Sequence, residues 1–424
     1  MASISEKWSF DLSFITERLP SWPISALALV FSYSLLCRTL RFRRMKQQHA
    51  KFPYKTRESY SRMTATDAFE ISKYISTLEF PFLSEKAAAF ALFRTYGIPT
   101  ISKTLCETKQ FSEPVFASKR YADTGVLINE FAGNAPDSDR SISAISRMNY
   151  LHEGYRKAGK ITNNDMIYTL SLFVLETDRW LRSYEWRPLT DMELCAYGTL
   201  WKNIGDSMDI DFTALKHGPN SFQDGLEFAH DIKEWVEDYE EKHLVPDSWN
   251  HKLANETTNI LIYNLPGFLK GPAKRLVTTM MDERLRKAIK YPEAPAPYHI
   301  TKNIILATRK FLLQNFFLPR PYFLRVVAFT EKPNSTGRYE STTYETEPWY
   351  VPETFRNRWG LEAWVRWLAG RPIPGGGKYK PEGYHMHEVG PKKMEGKGLE
   401  HYEAEREKLF AAGKGGCPFA VAKR

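Results

Sequence analysis

Residues Ser141 to Lys157 read SISAISRMNYLHEGYRK. Ile142, Ile145, Met148, His152 and Tyr155 recur at steps of three and four, the spacing of one face of an α-helix. A helix is expected here, with His152 in the middle of its apolar stripe. A buried imidazole needs a partner. Two readings follow: a core histidine bonded to a backbone carbonyl or a tyrosine, or a ligand. Upstream, Lys119-Arg-Tyr-Ala-Asp-Thr124 places Arg120 and Thr124 on one helical face with Asp123 beside them, continued by Leu127, Ile128 and Phe131. On residues alone Arg120 and Asp123 read as a surface ion pair, which contributes only a few tenths of a kcal/mol.

Outward from this stretch the pattern is helical from about residue 61, with no succession of alternating strands. Thr190-Asp-Met-Glu193 is a capping box that opens an apolar-periodic run to about Met208. Asp165 begins MIYTLSLFVL, apolar nearly all round and expected to be a central core helix. Residues 224–243 are expected to form an acidic amphipathic helix, 275–290 a basic one, and 301–317 a helix rich in Ile, Leu and Phe that stops at Pro319 and Pro321. After about residue 330, polar and aromatic segments, Pro372-Ile-Pro-Gly-Gly-Gly377 and a charged tail suggest an extended region wrapping the helical body. The fold class expected is mostly α.

The chain has 424 residues, 42% of them hydrophobic and 14% aromatic, a composition that folds. Its 59 Lys and Arg against 50 Asp and Glu give +9, which first suggests nucleic acid. The charge is localised, however. Eight basic residues and no acidic one lie between Arg38 and Arg57, leaving +1 for the other 404 residues. The remainder has no basic stripe to follow a phosphate backbone, so no nucleic-acid partner is expected. Directly before that basic run, Leu19 to Cys37 is 19 uncharged residues, about 28 Å as a helix and so of bilayer length. A signal peptide carries its positive charge ahead of the apolar segment, whereas residues 1–18 are net −1. A transmembrane anchor is therefore expected, with a buried core helix as the alternative. By the positive-inside rule the basic flank stays cytosolic and the N-terminus is lumenal. Four cysteines far apart give no disulfide framework, and the glycosylation patterns at Asn255 and Asn334 would stay unused on a cytosolic domain.

Several chemistries are absent: there is no P-loop, no GxGxxG after a strand, no GxSxG and no CxxC pair. Glu227/His230 and Glu240/His243 imitate a di-iron motif, but they share one helix about 20 Å apart and read as a solvated acidic face. His385 and His387 alone leave a metal site incomplete and read as a surface loop.

Together with Phe90-Ala-Leu-Phe-Arg-Thr-Tyr-Gly-Ile-Pro-Thr100, Arg120-Tyr-Ala-Asp-Thr124, Leu151-His152 after Arg147, Glu193-Leu-Cys-Ala196 with Trp201-Lys202, Asp282-Glu-Arg-Leu-Arg-Lys287 and Cys417-Pro-Phe, the chain resembles the membrane-anchored fungal oxygenases of the mycophenolic-acid pathway type. These are distant relatives of the latex-clearing rubber oxygenases. The resemblance runs from the N-terminal anchor to Cys417. It implies a globin-like helical domain enclosing one haem b, anchored in the endoplasmic reticulum, with dioxygen as co-substrate.

By that resemblance His152 is the proximal iron ligand, and Arg120 and Thr124 lie in the distal region, where they orient dioxygen or a haem propionate. Where rubber oxygenases carry Lys before that Thr, this chain has Asp123, so a Lys-ligated resting state is not carried over. Asp123 is left as a proton acceptor or as a partner of Arg120. The domain order expected is a lumenal N-terminus (1–18), a transmembrane helix (19–40), a basic linker (41–60), a haem-binding catalytic domain (61–330) and a wrapping C-terminal region (331–424). The activity implied is oxidative cleavage of an isoprenoid C=C bond in a hydrophobic prenylated substrate. The alternatives are haem-dependent hydroxylation or peroxidase-like oxidation, or a membrane-tethered haem sensor.

Overall fold

In the computed structural model, which describes residues 22–110, 113–219 and 221–420, side-chain caps and prolines decide where the helices begin. The expected N-terminus 1–18 and the first residues of the span lie outside the described residues. Helix α1 is Trp22–Ala50, followed by α2 (Ala65–Tyr74), α3 (Pro81–Thr95), α4 (Pro99–Glu107), α5 (Pro114–Ala132) and α6 (Asp139–Lys157). Next come α7 (Asn163–Tyr184), α8 (Asp191–Ser207), α9 (Gly225–His243) and α10 (Ser248–Leu261). Then follow α11 (Gly267–Thr278), α12 (Glu283–Ala288) and α13 (Ala296–Asn315), and in the C-terminal region α14 (Phe355–Trp359), α15 (Leu361–Leu368) and α16 (Leu399–Ala412). Two isolated β-bridges, Phe329 with Ser341 and Tyr339 with Tyr384, are the strand-like pairings among the described residues.

Prolines at the first turn open α3, α4 and α5, where the missing N–H would have had no intrahelical partner. Thr162 and Thr190 start α7 and α8 as capping boxes. Each hydroxyl accepts from the backbone N–H three residues on, while Asp165 and Glu193 reach back to the threonine N–H. The single helix expected over 275–290 is two, because Asp282 accepts from the Leu285 N–H at 2.9 Å and caps a new start at α12. Helix α1 runs on to Ala50, so the first half of the expected linker continues the apolar helix.

Helix α7 is the central core element. It packs on α3 and on α8, where Phe173 stacks on Trp201 with ring centroids 4.3 Å apart. Helices α8 and α9 cross so closely that a Cβ on Gly198 would sit 1.9 Å from the Gly225 carbonyl oxygen. Charges inside this core are paired. Arg94 on α3 donates twice to Glu240 on α9, both at 2.6 Å, and the Tyr168 hydroxyl donates to the same carboxylate at 2.8 Å. The solvated acidic face expected of α9 therefore holds only in part: Glu240 is buried, because a cation 146 residues away satisfies it.

The basic end of α1 is fastened to the body. Arg44 pairs with the buried Glu79 at 2.6 Å, and His49 contacts the buried Glu193 at 3.2 Å. The C-terminal region is fastened by Arg147 of α6, which is 0% exposed and donates to the carbonyls of Val389 (2.8 Å), Met394 (2.8 Å) and Lys397 (2.9 Å). Further along, the Ala65 and Thr66 N–H groups at the start of α2 donate to the carbonyls of Gly416 (2.9 Å) and Gly415 (3.2 Å). None of the four cysteines forms a disulfide.

Candidate functional site

Helices α5 and α6 pack side by side and bring the sequence-predicted residues together. On α6, Ile142 and Ile145 are buried in the core, and His152 is half-buried further along the same stripe. The His152 Nδ1 is buried and has no hydrogen-bond partner among the described residues. Burial, followed by the charges of Arg120 and Arg156, pushes its pKa down to about 4. The ring is thus neutral at physiological pH, the form in which an imidazole binds a metal.

Of the two charges Arg120 on α5 has the larger effect on His152, and it acts on Tyr96 as well. Its own pKa is lowered by burial, against the opposing fields of Asp123, Tyr96 and Tyr155. Asp123 is not the surface partner that the sequence suggested. It is 1% exposed, and its two oxygens accept from the Lys119 ammonium (2.8 Å) and the Tyr350 hydroxyl (2.6 Å). Burial raises its pKa while Lys119 holds it down. Thr124 donates its hydroxyl proton to the Arg120 carbonyl at 2.8 Å, leaving its lone pairs for an external donor.

Thr124 also lines a cavity of about 440 Å³ together with Tyr96, Gly125, Phe173, Trp201 and Val326. That volume is within the range of small-molecule sites. His152 and Arg120 are not part of its wall; Tyr96, which is, connects them to it through the field of Arg120. Burial pushes the Tyr96 hydroxyl up to about 12, so it remains protonated and able to donate. Tyr96, Lys119 and Tyr350 were not singled out from the sequence. Lys119 was accessible, since Lys119 and Asp123 stand four apart on one helix, whereas Tyr350 lies 227 residues from its partner.

The donor chemistry fits an iron-centred cofactor: a neutral imidazole whose Nδ1 has no hydrogen-bond partner among the described residues, with the charge of the half-buried Arg120 acting on it. No group of three or more His, Cys, Asp or Glu side chains that could hold a bare metal ion occurs among the described residues. A stability consequence follows for the cofactor-free protein. His152 binds its proton at about 4 when folded and near 6.5 when unfolded. The unfolded state then holds more protons between these values, so stability is full above about pH 6.5 and falls as pH drops toward 4. Unfolding midpoints measured from pH 7 to 4 should show this loss, and His152→Gln should flatten it.

The described residues thus form a helical body with one helix of 29 residues that is long and apolar enough to cross a membrane, a cavity lined by Thr124 and Tyr96, and a neutral histidine on α6. No family model matches the chain. It is 42% identical to ER-bound oxygenase mpaB' of Penicillium brevicompactum over 415 residues, 96% of this chain and 98% of that protein. It is 39% identical to ER-bound oxygenase mpaB of the same organism over 379 residues, covering 88% and 90%. To ER-bound oxygenase mpaB of Penicillium roqueforti the identity is 44% over 279 residues, covering 66% and 94%. The chain belongs to the MpaB family. The relatives' names support an oxygenase, and hence an oxidoreductase, and the apolar α1 fits a single-pass protein of the endoplasmic reticulum membrane.

Proposed function

We propose that this protein is a haem-dependent oxygenase that cleaves an isoprenoid C=C bond in the prenyl side chain of a hydrophobic substrate, with its catalytic domain on the cytosolic face of the endoplasmic reticulum. The observation that carries this reading is His152, a half-buried, neutral imidazole whose buried Nδ1 has no hydrogen-bond partner among the described residues. Haem b held by His152, in a globin-like enclosure formed by residues 61–330, would supply dioxygen activation at its iron. The orientation rests on the basic run from Arg38 to Arg57, which the positive-inside rule retains in the cytosol.

The protein's own groups have separable tasks. Arg120 supplies a fixed positive charge that favours a propionate or a developing negative charge on oxygen. Thr124 offers hydroxyl lone pairs at the cavity wall. Phe173 and Trp201 exclude water and position the double bond. Asp123 has both oxygens engaged, so it positions α5 through Lys119 and Tyr350. Cleavage breaks one C=C bond and forms two C=O bonds from one dioxygen, leaving a shortened aldehyde-bearing chain and a small ketone; the balance needs no external reductant.

Microsomes containing the protein, given a prenylated aromatic compound and isotopically heavy dioxygen without added reductant, should yield two carbonyl fragments that each carry one heavy oxygen. A single product that has gained one oxygen and forms only with a reductant would instead establish hydroxylation.

A further inference from the structure

Helix α13 is built inside out for a helix in water. Seven of its 20 residues are Ile, Leu or Phe, and none of the 20 is buried. Every exposed position from 296 to 318 is uncharged, whereas Lys302, Arg309 and Lys310 are half-buried. Arg309 faces the body and pairs with the buried Glu185 at 2.8 Å. At about 100° per residue, Ile300, Ile304 and Phe311 lie roughly opposite that anchor. All three are more than half exposed. A surface helix normally shows the reverse arrangement, and a contiguous apolar patch on this scale marks a partner. The exposure continues past the helix end from Phe317 to Leu324, where Phe323 is 79% exposed.

Position identifies the partner as lipid. Helix α13 packs along α1, whose two buried residues are Cys37 and Arg41. The Tyr33 hydroxyl donates to the Phe316 carbonyl at 3.2 Å, and the Ser34 hydroxyl to the Asn315 side-chain oxygen at 3.3 Å. Both partners on α1 lie on the apolar side of Arg38, its first basic residue. The offset of four to five residues places the end of α13 about 6–8 Å deeper than that charge, within the depth at which amphipathic helices seat their apolar faces in a bilayer. On the other side of the boundary, Arg41 donates to the Phe317 carbonyl at 3.0 Å and Arg44 to the Arg320 carbonyl at 2.5 Å, so the guanidinium groups hold the segment at the level of the headgroups.

We propose that α13 and the Phe316–Leu324 segment form a second membrane-embedded element, seated in the leaflet that holds the basic end of α1. This element is also a portal. The chain passes directly from Leu324 into Arg325, Val326 and Phe329, which line the 440 Å³ cavity. An apolar substrate dissolved in the bilayer thereby reaches the cavity without crossing water. The inference rests on the membrane placement of α1 in the reading above and is independent of the haem and the reaction.

The test uses the full-length protein in microsomes and an apolar, carbene-generating photoreagent dissolved in the bilayer, followed by tryptic digestion and mass spectrometry. Peptides of α1 serve as the internal standard. The peptides Asn303–Arg309 and Phe311–Arg325 should be labelled along with α1, and Ile304→Asp combined with Phe311→Asp should lower their labelling several-fold while α1 labelling persists. Labelling of α1 alone, with the α13 peptides modified only by a water-confined reagent, overturns the proposal. A crosslink joining Phe311–Arg325 of two copies in place of lipid labelling also overturns it, assigning the face to self-association. Failure of the proposed reaction leaves the labelling unchanged.

Discussion

If His152 holds haem as proposed, His152→Ala is expected to abolish the Soret absorbance of the protein as isolated, and dioxygen uptake with it. Removal of this imidazole should weaken cofactor binding more than about tenfold, each factor of ten corresponding to about 1.4 kcal/mol. A second measurement separates a ligand from a core histidine. In the cofactor-free protein, Nδ1 is buried without a partner among the described residues, and such a group costs about 1–3 kcal/mol. His152→Leu should therefore leave the cofactor-free protein at least as resistant to unfolding as the parent while removing haem from the holoprotein. A variant that retains its full haem content, or a parent protein with no Soret band, would sink the assignment. Thr124→Val, by contrast, should keep the haem and slow turnover.

Arg147→Met should loosen the C-terminal region more than any surface change. The guanidinium satisfies three carbonyls from residues 389–397, and each one left unpaired in the interior costs about 1–3 kcal/mol. A net loss of about 3–5 kcal/mol is expected, after allowing for some rehydration as the segment lifts away. Arg147→Lys should recover a minor part, since one ammonium cannot span three carbonyls in the planar fork that arginine supplies. Thermal unfolding and limited proteolysis around residues 389–397 provide the readouts; an unchanged melting point and cleavage rate would contradict the role given to Arg147.

Local signals in the sequence were readable where the deciding chemistry was local. Thr190 with Glu193 marked the start of α8, and the stripe through Ile142 and Ile145 placed His152 on the inward side of α6. The break between α11 and α12 could have been found the same way, from Asp282 three residues before Leu285. What escaped depended on distant partners. Glu240 looked like a surface acid because Arg94 is 146 residues away, and Asp123 was left between a proton acceptor and a partner of Arg120 because nothing local pointed to Tyr350. Helix α13 shows a different limit. An apolar stripe has the same period whether it faces a protein core or a bilayer, so the sequence placed a helix near 301–317 and could not say what lay outside it.

The bonds from Ala65 and Thr66 to Gly416 and Gly415 tie together segments separated by about 350 residues of chain. At synthesis rates of about 5–20 residues per second, α1 and α2 leave the ribosome roughly 20–70 s before the carbonyls that complete the start of α2. Helix α1 is thus made while the contacts that complete the start of α2 are still missing. Closure comes with Phe419, which is buried against Phe222, as the final stretch docks beside α2. The start of α2 is therefore completed only after about 350 further residues have been made, so this contact cannot form during the early part of synthesis.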